Sequence, residues 1–285
     1  MAPLSVARLL ALGAARLGHL PNAELDAEML LRGVTGLSRA DLLTRSYESI
    51  TEVQTAAYDA AVSRRERHEP IQYILGRAAF WRDEFVVSPA VLIPRPDTEI
   101  LIEAVATRMK SAGTPRLLDV GTGSGCIALS LLRELPTARA LAVDVSVKAL
   151  AVARENARQL GLDSRIEFRI SNWFDGLDGF ETFDAVVSNP PYVARSDESM
   201  LAPEVRDFEP SLALFAAQGD DLSSYRSILA GVFRHLRPGG LLAFEAGIGQ
   251  AALVGDELSA AGISSIEVLK DLAGIDRVVI GRRNQ

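Results

Sequence analysis

The stretch RLLDVGTGSGC, residues 116–126, decides the fold of this chain. An apolar segment leads into three glycines, Gly121, Gly123 and Gly125, and an apolar helical pattern follows them. Glycine lets a backbone turn sharply and approach a ligand with no side chain in between. The stretch therefore predicts a buried strand, a ligand-binding loop and the start of a helix. Cys126 stands where the dinucleotide fingerprint G-x-G-x-x-G needs its third glycine, which disfavours a hydride-transferring enzyme.

Helix and strand patterns alternate from this stretch to the end of the sequence. Strands are predicted at 116–120, 139–145, 165–171, 183–189, 241–247, 265–271 and 277–282. Helices are predicted at 99–109, 124–135, 147–161 and 225–240, with a last helix before the final two strands. Such alternation with continuous apolar strands is typical of a parallel sheet that helices cover on both faces. We expect an α/β fold with a doubly wound, mostly parallel, seven-stranded sheet.

The sequence before this region has a different character. Helical patterns run near 3–18, 22–34, 38–44 and 51–66 and predict a small helical bundle. The following segment AAFWRDEFVVSPAVLIPRP, residues 78–96, predicts a short hairpin and a proline-flanked loop. We therefore predict three parts: an N-terminal helical domain (1–73), a hairpin linker (74–93) and an α/β domain (94–285).

Composition limits the classes of function. The net charge of −7 over 285 residues argues against a strongly basic nucleic-acid-binding face. The single cysteine, Cys126, cannot form an intramolecular disulfide, which suits a reducing compartment, and we expect a cytoplasmic protein. No stretch reaches the roughly 18 apolar residues of a membrane span. His19, His68 and His235 lack metal-ligand spacing, so we expect no metal site.

Asp144 indicates what kind of ligand the glycine loop would hold. It ends the second predicted strand, 23 residues after Gly121. In open α/β sheets, a carboxylate at this position can accept hydrogen bonds from the hydroxyls of a ribose. The ligand is therefore expected to contain a nucleoside. The alternative, an ordinary strand-to-helix turn, explains the glycines but not the spacing of Asp144.

The stretch DAVVSNPPYVA, residues 184–194, ends a predicted strand with a polar amide and two prolines. Each proline fixes its own φ and restrains the residue before it, so Asn189-Pro190-Pro191 has a nearly predetermined extended shape. On one interpretation the prolines only end the strand. On the other, the stiff segment positions the Asn189 side chain and the Pro190 carbonyl as acceptors for a substrate, with the Tyr192 ring beside them.

The motifs together carry a resemblance. LDVGTGSGC, Asp144 and NPPY resemble the class I S-adenosylmethionine-dependent methyltransferases that methylate planar amide or exocyclic nitrogens. Four further segments are similar to the protein-(glutamine-N5) methyltransferase family that modifies bacterial peptide-chain release factors: QYILGRAAFW, SPAVLIPRPDTE, FEPSLALFA and DLAGIDRVVIGR. With the helical N-terminal region, the likeness covers nearly the whole chain.

The resemblance implies a role for each motif residue. Gly121, Thr122, Gly123, Ser124 and Gly125 would pass beneath S-adenosylmethionine, Asp144 would hold its ribose, Trp173 would border the adenine, and Asn189, Pro190, Pro191 and Tyr192 would bind the acceptor glutamine. Asn189 would also contact the cofactor. Asn172 stands where the family often has an aspartate, and its amide oxygen can still accept from the adenine amino group.

The resemblance also implies the partner. The helical domain would recognise a release factor whose Gly-Gly-Gln glutamine is methylated, with no nucleic acid or membrane required, and the oligomeric state stays open. We expect the loop around Arg95 to close over the cofactor. Two other functions remain possible at this point: methylation of adenine or guanine amino groups in DNA or RNA, and binding of a protein or RNA without catalysis.

Overall fold

The structure, a computed structural model, describes residues 4–285 and divides them into two units. The first unit contains the described residues up to Arg77 together with Ala202–Phe208. The second contains Ala78–Leu201 and Glu209–Gln285. Residue 3, where the predicted first helix begins, lies outside the described residues, as does the start of the predicted domain 1–73.

The predicted helices and strands occur in the predicted order, and three short helices, at 71–75, 203–208 and 211–214, have no counterpart in the sequence-based prediction. The helices within residues 4–285 are Val6–Arg16 (α1), Ala23–Thr35 (α2), Arg39–Thr44 (α3), Glu52–Arg65 (α4), Ile71–Leu75 (α5), Glu99–Met109 (α6), Cys126–Glu134 (α7), Val147–Gln159 (α8), Pro203–Phe208 (α9), Ser211–Leu214 (α10), Ser223–His235 (α11) and Ala251–Ala260 (α12). The strands are Arg77–Phe80 (β1), Asp83–Val86 (β2), Arg116–Val120 (β3), Arg139–Asp144 (β4), Ile166–Ile170 (β5), Phe183–Ser188 (β6), Leu236–Glu245 (β7), Ile263–Lys270 (β8) and Asp276–Arg283 (β9).

The first unit is helical, as predicted. Side-chain oxygens of Ser5, Ser38 and Thr51 cap α1, α3 and α4 by accepting backbone N–H groups that the helix leaves free. Most of its core comes from apolar side chains of α1, α2 and α4, among them Val6, Leu9, Leu30, Leu31 and Val62. Burial of these side chains supplies most of the stability of such a small bundle. The short helix α5 has no counterpart in the sequence-based prediction.

Segment 202–208 belongs to this helical unit although it is distant in sequence. The guanidinium of Arg65 is buried and pairs with Asp26 at 2.7 Å and with Glu204 of α9 at 3.0 Å. A buried arginine needs such partners because an unpaired charge is costly away from water. Arg65 therefore fastens α9 to the bundle.

In the described part of the second unit, seven strands form one sheet in the order β5-β4-β3-β6-β7-β9-β8. Strands β3 to β7 are parallel, and β9 lies antiparallel between β7 and β8. Alternate strand residues serve the two faces: Leu117 packs with α6 and α7, whereas Leu118 packs with α11 and α12. This confirms the predicted mostly parallel, seven-stranded, doubly wound sheet with a helical N-terminal region.

Strand order reverses at β3, whose neighbours are β4 on one side and β6 on the other. The loops that leave neighbouring strands here diverge and open a crevice at the carboxyl edge. The hairpin of β1 and β2 packs Phe80 and Phe85 into the α6–α7 core. It therefore forms part of the second unit's core.

The predicted boundary between one helix and the strand that follows it is wrong. The helix predicted at 225–240 ends at His235, and residues 236–240 belong to β7. Leu236 pairs with Phe183 and Leu241 with Ala185, so the segment between them bulges out of register. A bulge inserts additional residues into a strand, which a proline and two glycines tolerate.

Candidate active site

A cavity of ≈ 200 Å³ lies at the carboxyl ends of β3, β4, β5 and β6, within the second unit. The end of β4 and the loops after these strands contribute Gly121, Gly123, Ser124, Asp144, Val145, Ser146, Ser171, Asn172, Trp173, Asn189 and Pro191 to its wall. Segments outside the strands contribute Ala90, Val91, Leu92, Pro94, Arg95, Thr98, Pro210, Leu212 and Ala213. The cavity thus brings most of the predicted site residues together. Thr122, Gly125, Pro190 and Tyr192 are outside its wall.

The glycine loop has the conformation that its sequence predicts. Gly121 and Gly123 have φ of 76° and 56°, a region where other residues are strained. The backbone N–H groups of Gly121 and Thr122 both donate to the Val143 carbonyl at 2.9 Å, which anchors the loop to β4. The Thr122 hydroxyl is buried and donates to Asp119 at 2.6 Å. Thr122 therefore stabilises the loop from beneath.

Asp144 connects two loops. Its Oδ2 accepts the Gly123 backbone N–H at 2.9 Å, and its Oδ1 accepts that of Ser146 at 2.8 Å. Burial raises the pKa of this carboxyl, and these backbone donors oppose the rise. Each carboxylate oxygen retains a further lone pair. The carboxylate can therefore accept hydroxyl groups of a ligand in the cavity.

Residues after β5 form another part of the wall. Trp173 has a positive φ of 52°, and the Ser171 hydroxyl donates to its carbonyl at 2.9 Å. Asn172 donates its Nδ2 to Asp175 at 3.3 Å, which directs the amide nitrogen to the loop. The amide oxygen of Asn172 is therefore the atom that can accept from a ligand.

The N-P-P-Y segment begins where β6 ends. Asn189 donates from Nδ2 to the Thr98 hydroxyl at 3.4 Å. Pro190 is buried, whereas Pro191 contributes to the cavity wall. The Tyr192 hydroxyl donates to Glu245 at 3.3 Å, and its carbonyl accepts from Gln250 at 3.1 Å. The segment is held at both ends.

Sequence reasoning missed Thr98 and found no partner for Glu245. Glu245 ends β7, is 1% exposed and accepts hydrogen bonds from Thr98 and Tyr192. Burial raises the pKa of the Glu245 carboxyl, while the two hydroxyl donors and the positive charge of Arg277 lower it. The available signal was an acidic residue at the end of an apolar strand beside the ligand-binding edge.

Arg95 lines the cavity, and a carboxylate holds it there. Its Nη2 donates to Glu209 at 2.5 Å, and the other oxygen of Glu209 accepts the Ile93 backbone N–H at 3.2 Å. Burial raises the pKa of Glu209, which the charge of Arg95 counteracts. The proline-flanked loop and the FEPSLALFA segment are thereby joined at the cavity.

The remaining candidate residues do not point to another chemistry. Cys126 is buried, and burial raises the pKa of its thiol to about 12, which suits a packed residue rather than a nucleophile. Across residues 4–285, no cluster of three or more His, Cys, Asp or Glu side chains could hold a metal ion. None of the helices in that range is both long and apolar enough to span a membrane.

Two family models match the chain. The model described as PrmC N-terminal domain matches residues 8–76, and the one described as Methyltransferase small domain matches residues 96–206. The first match falls on the helical region, and the second extends from the cavity's Thr98 loop to α9.

Curated relatives match over most of their length. A release factor glutamine methyltransferase of Cereibacter sphaeroides is 43% identical over 257 residues, covering 90% of each chain. One of Burkholderia pseudomallei is 43% identical over 266 residues, covering 92% of this chain and 93% of the relative. One of Rhodospirillum rubrum is 41% identical over 282 residues, covering 98% and 86%.

Solved structures resemble the fold at lower identity. The hMettl16 catalytic domain has a TM-score of 0.57 and 18% identity, covering 84% of this chain and 85% of that one. A methyltransferase from Pyrococcus furiosus has a TM-score of 0.52 and 18% identity, covering 82% and 100%. These likenesses show a shared methyltransferase fold.

Proposed function

Because this chain belongs to the release factor glutamine methyltransferase family, we propose that it transfers a methyl group from S-adenosylmethionine to the side-chain nitrogen of the Gly-Gly-Gln glutamine of a peptide-chain release factor. The observation that carries the proposal is that Asp144 and Asn189, at the ends of β4 and β6, line the same cavity. The residue that we propose to bind the ribose and the residue that we propose to bind the acceptor amide thus line the same cavity. The proposed location is the cytoplasm, where release factors act.

The cavity fits a nucleoside cofactor. Gly121 and Gly123 form a part of the wall that carries no side chains, and Asp144 retains acceptor capacity toward the cavity. Trp173 offers an aromatic surface and Asn172 an amide oxygen for an adenine. When bound, S-adenosylmethionine supplies an electrophilic methyl group. We propose that Thr122, Ser124 and Gly125 act by shaping the glycine loop.

We propose that Asn189 and Pro190 orient the acceptor. An amide nitrogen is a weak nucleophile because its lone pair is delocalised into the carbonyl. The Asn189 side-chain oxygen and the Pro190 carbonyl would each accept one N–H of the glutamine amide and direct its nitrogen into the cavity. Both hydrogen bonds strengthen as positive charge develops on that nitrogen, so they stabilise the transition state more than the ground state.

Pro191 and Tyr192 complete the proposed acceptor site. Proline offers a carbonyl without a competing N–H. The Tyr192 ring would pack against the flat amide while its hydroxyl stays bound to Glu245. Orientation of reacting groups can supply roughly 7–11 kcal/mol in favourable cases. Positioning is therefore the main contribution that we assign to these residues.

The test uses whole release factor and methyl-labelled S-adenosylmethionine. We expect label on one glutamine, located by peptide mass spectrometry in the Gly-Gly-Gln segment. A release factor with that glutamine replaced by alanine is the matched control and should stay unlabelled. Label on DNA or RNA, with none on the intact release factor, would overturn the proposal in favour of an amino-group nucleic-acid methyltransferase. Cofactor binding without transfer to any acceptor would indicate a non-catalytic module.

A further inference from the structure

A buried network connects the two ends of the N-P-P-Y segment through residues outside it. Thr98 is 2% exposed and follows Pro96 and Asp97 at the start of α6, whereas Glu245 is 1% exposed at the end of β7. The Thr98 hydroxyl donates to Oε2 of Glu245, and the Tyr192 hydroxyl donates to Oε1. Asn189 donates from Nδ2 to the same Thr98 hydroxyl. One carboxylate thus contacts Tyr192 directly and is linked to Asn189 through the Thr98 hydroxyl.

The direction of these hydrogen bonds determines the orientation of the Asn189 amide. A hydroxyl has one proton to donate. With Glu245 ionised, a state that its two hydroxyl donors and the charge of Arg277 favour, the carboxylate can only accept. Thr98 then uses its proton for the carboxylate, so the Thr98 oxygen must act as an acceptor toward Asn189. The amide nitrogen of Asn189 therefore faces Thr98. Its oxygen is left for a donor in the cavity.

Glu245 is itself firmly placed. The Tyr225 hydroxyl donates to its backbone carbonyl at 3.1 Å, and Ala246 donates its N–H to the Arg277 carbonyl at 2.7 Å. Buried polar networks of this kind are rigid when every member is satisfied. The carboxylate consequently holds in place the Thr98 and Tyr192 hydroxyls, from which it accepts hydrogen bonds.

We propose that Thr98 and Glu245 are positioning residues that keep the Asn189 amide oxygen turned toward the acceptor and hold the Tyr192 ring in place. This inference rests on the proposed function, in which that oxygen accepts an N–H of glutamine. With the amide reversed, Asn189 would present its own N–H groups to the N–H groups of the acceptor. Such an arrangement offers no hydrogen bond and repels the substrate amide.

The experiment measures kcat for methylation of whole release factor, and cofactor affinity, for four variants. Thr98→Val removes the hydroxyl at nearly constant volume, and we expect kcat to fall about tenfold or more, the equivalent of one lost hydrogen bond. Thr98→Ser restores a hydroxyl and should recover most of the turnover. Glu245→Gln should also lower kcat, because an amide can donate to Thr98 as well as accept and so leaves Asn189 free to reverse. Cofactor affinity should fall less than kcat in all three, although Thr98 and Asn189 line the cavity.

The fourth variant, Thr122→Val, is the matched control. Thr122 and Asp119 form another buried threonine–carboxylate pair, but it lies beneath the glycine loop. Loss of the Thr122 hydroxyl should weaken cofactor binding. The effects of Thr122→Val and Asn189→Ala on methyl transfer should add in the double variant. Thr98→Val should instead have little further effect in the Asn189→Ala background, because its role passes through that amide.

The outcomes separate the two proposals. If the wild-type protein does not methylate glutamine, the proposed function fails. If it does, but Thr98→Val and Glu245→Gln retain wild-type kcat, or if Thr98→Val is fully additive with Asn189→Ala, the positioning role is refuted. Thermal unfolding of each variant detects loss of fold. If Thr98→Val unfolds, the same comparison is made with Glu245→Gln, measured alone and in the Asn189→Ala background.

Discussion

Gly123 donates its backbone N–H to the Asp144 carboxylate at 2.9 Å, which joins the glycine loop after β3 to the end of β4. The residue proposed to bind the ribose therefore also shapes the loop beneath the cofactor. A change at Asp144 should affect both contributions at once.

We expect Asp144→Ala to weaken binding of S-adenosylmethionine and of its demethylated product by about 10²-fold, because hydrogen bonds to a charged group contribute roughly 1.5–3 kcal/mol each. Isothermal titration calorimetry measures this directly. Asp144→Asn is the control, since an amide retains one acceptor oxygen and should show a smaller loss. Unchanged affinity in the alanine variant, or strong binding of a nicotinamide dinucleotide, would contradict the assignment.

Asn189→Ala should leave the protein folded and lower turnover by roughly 10²–10³-fold, as removal of one preorganised polar group from an active site does. The measurement is single-turnover methyl transfer at saturating release factor. Cofactor affinity is determined in parallel, because Asn189 also lines the cavity beside Thr98. Near wild-type turnover would mean that the two prolines and the asparagine only end β6.

A short peptide containing Gly-Gly-Gln should be a much poorer substrate than the whole release factor. Contacts remote from the reacting nitrogen can be used to hold it in place, and a peptide lacks them. Comparison of kcat/KM for the two substrates provides the measurement. A modest salt dependence is expected with the protein substrate, whereas a steep one would indicate phosphate contacts and a nucleic-acid acceptor.

Asp119 should make stability depend on pH. It is buried, and desolvation raises the pKa of its carboxyl to about 7. An unfolded aspartate has a pKa of about 3.9, so the folded state binds the proton more tightly. This contribution to stability is present in full below the unfolded pKa and is lost as pH rises through about 7. Urea unfolding of wild type and Asp119→Asn at about pH 5 and about pH 8 tests this sign. The variant should gain stability relative to wild type at the higher pH, and an equal difference at both would refute it.

Cys126 should react slowly with thiol reagents in the folded protein. Its thiol is buried and has a pKa raised to about 12, so little thiolate forms at neutral pH. Although Cys126 borders the cavity, a disulfide reagent should label it slowly because little thiolate is present, and denaturant should make labelling fast. Rapid stoichiometric labelling of the native protein would show an accessible, activated thiol.

The sequence predicts the sheet well because its signals are local. Leu117 to Val120 and the glycines after them form a continuous pattern, and β3 has the bounds that this pattern predicts. The prediction of helix for segment 236–240 was wrong because Pro238 and the following glycines are equally suited to a helix end and to a bulge in a strand. Which applies depends on pairing with Phe183, far away in the sequence.

The acceptor side of the cavity was harder to predict than the cofactor side. Asp144 lies 21 residues from the glycine that it binds, within one strand-helix-strand unit. Glu245 lies 147 residues from Thr98 and 53 from Tyr192, and only the completed sheet brings them together. Neither hydrophobic periodicity nor motif spacing in a single sequence predicts a contact between residues so far apart.

The position of β9 between β7 and β8 has a consequence for synthesis on the ribosome. Strands β3 to β7 can pair in the order in which they emerge, but the outer edge of β7 stays open until residues 276–283 have been made. An open edge is a template for pairing with other chains. Glu245 ends that same strand, and the carbonyl that pairs with Ala246 comes from Arg277. A nascent chain would thus complete the cofactor side of the cavity, at the ends of β3 and β4, first. The acceptor side, which includes Glu245, would form last, after an interval in which the open edge of β7 needs protection from aggregation.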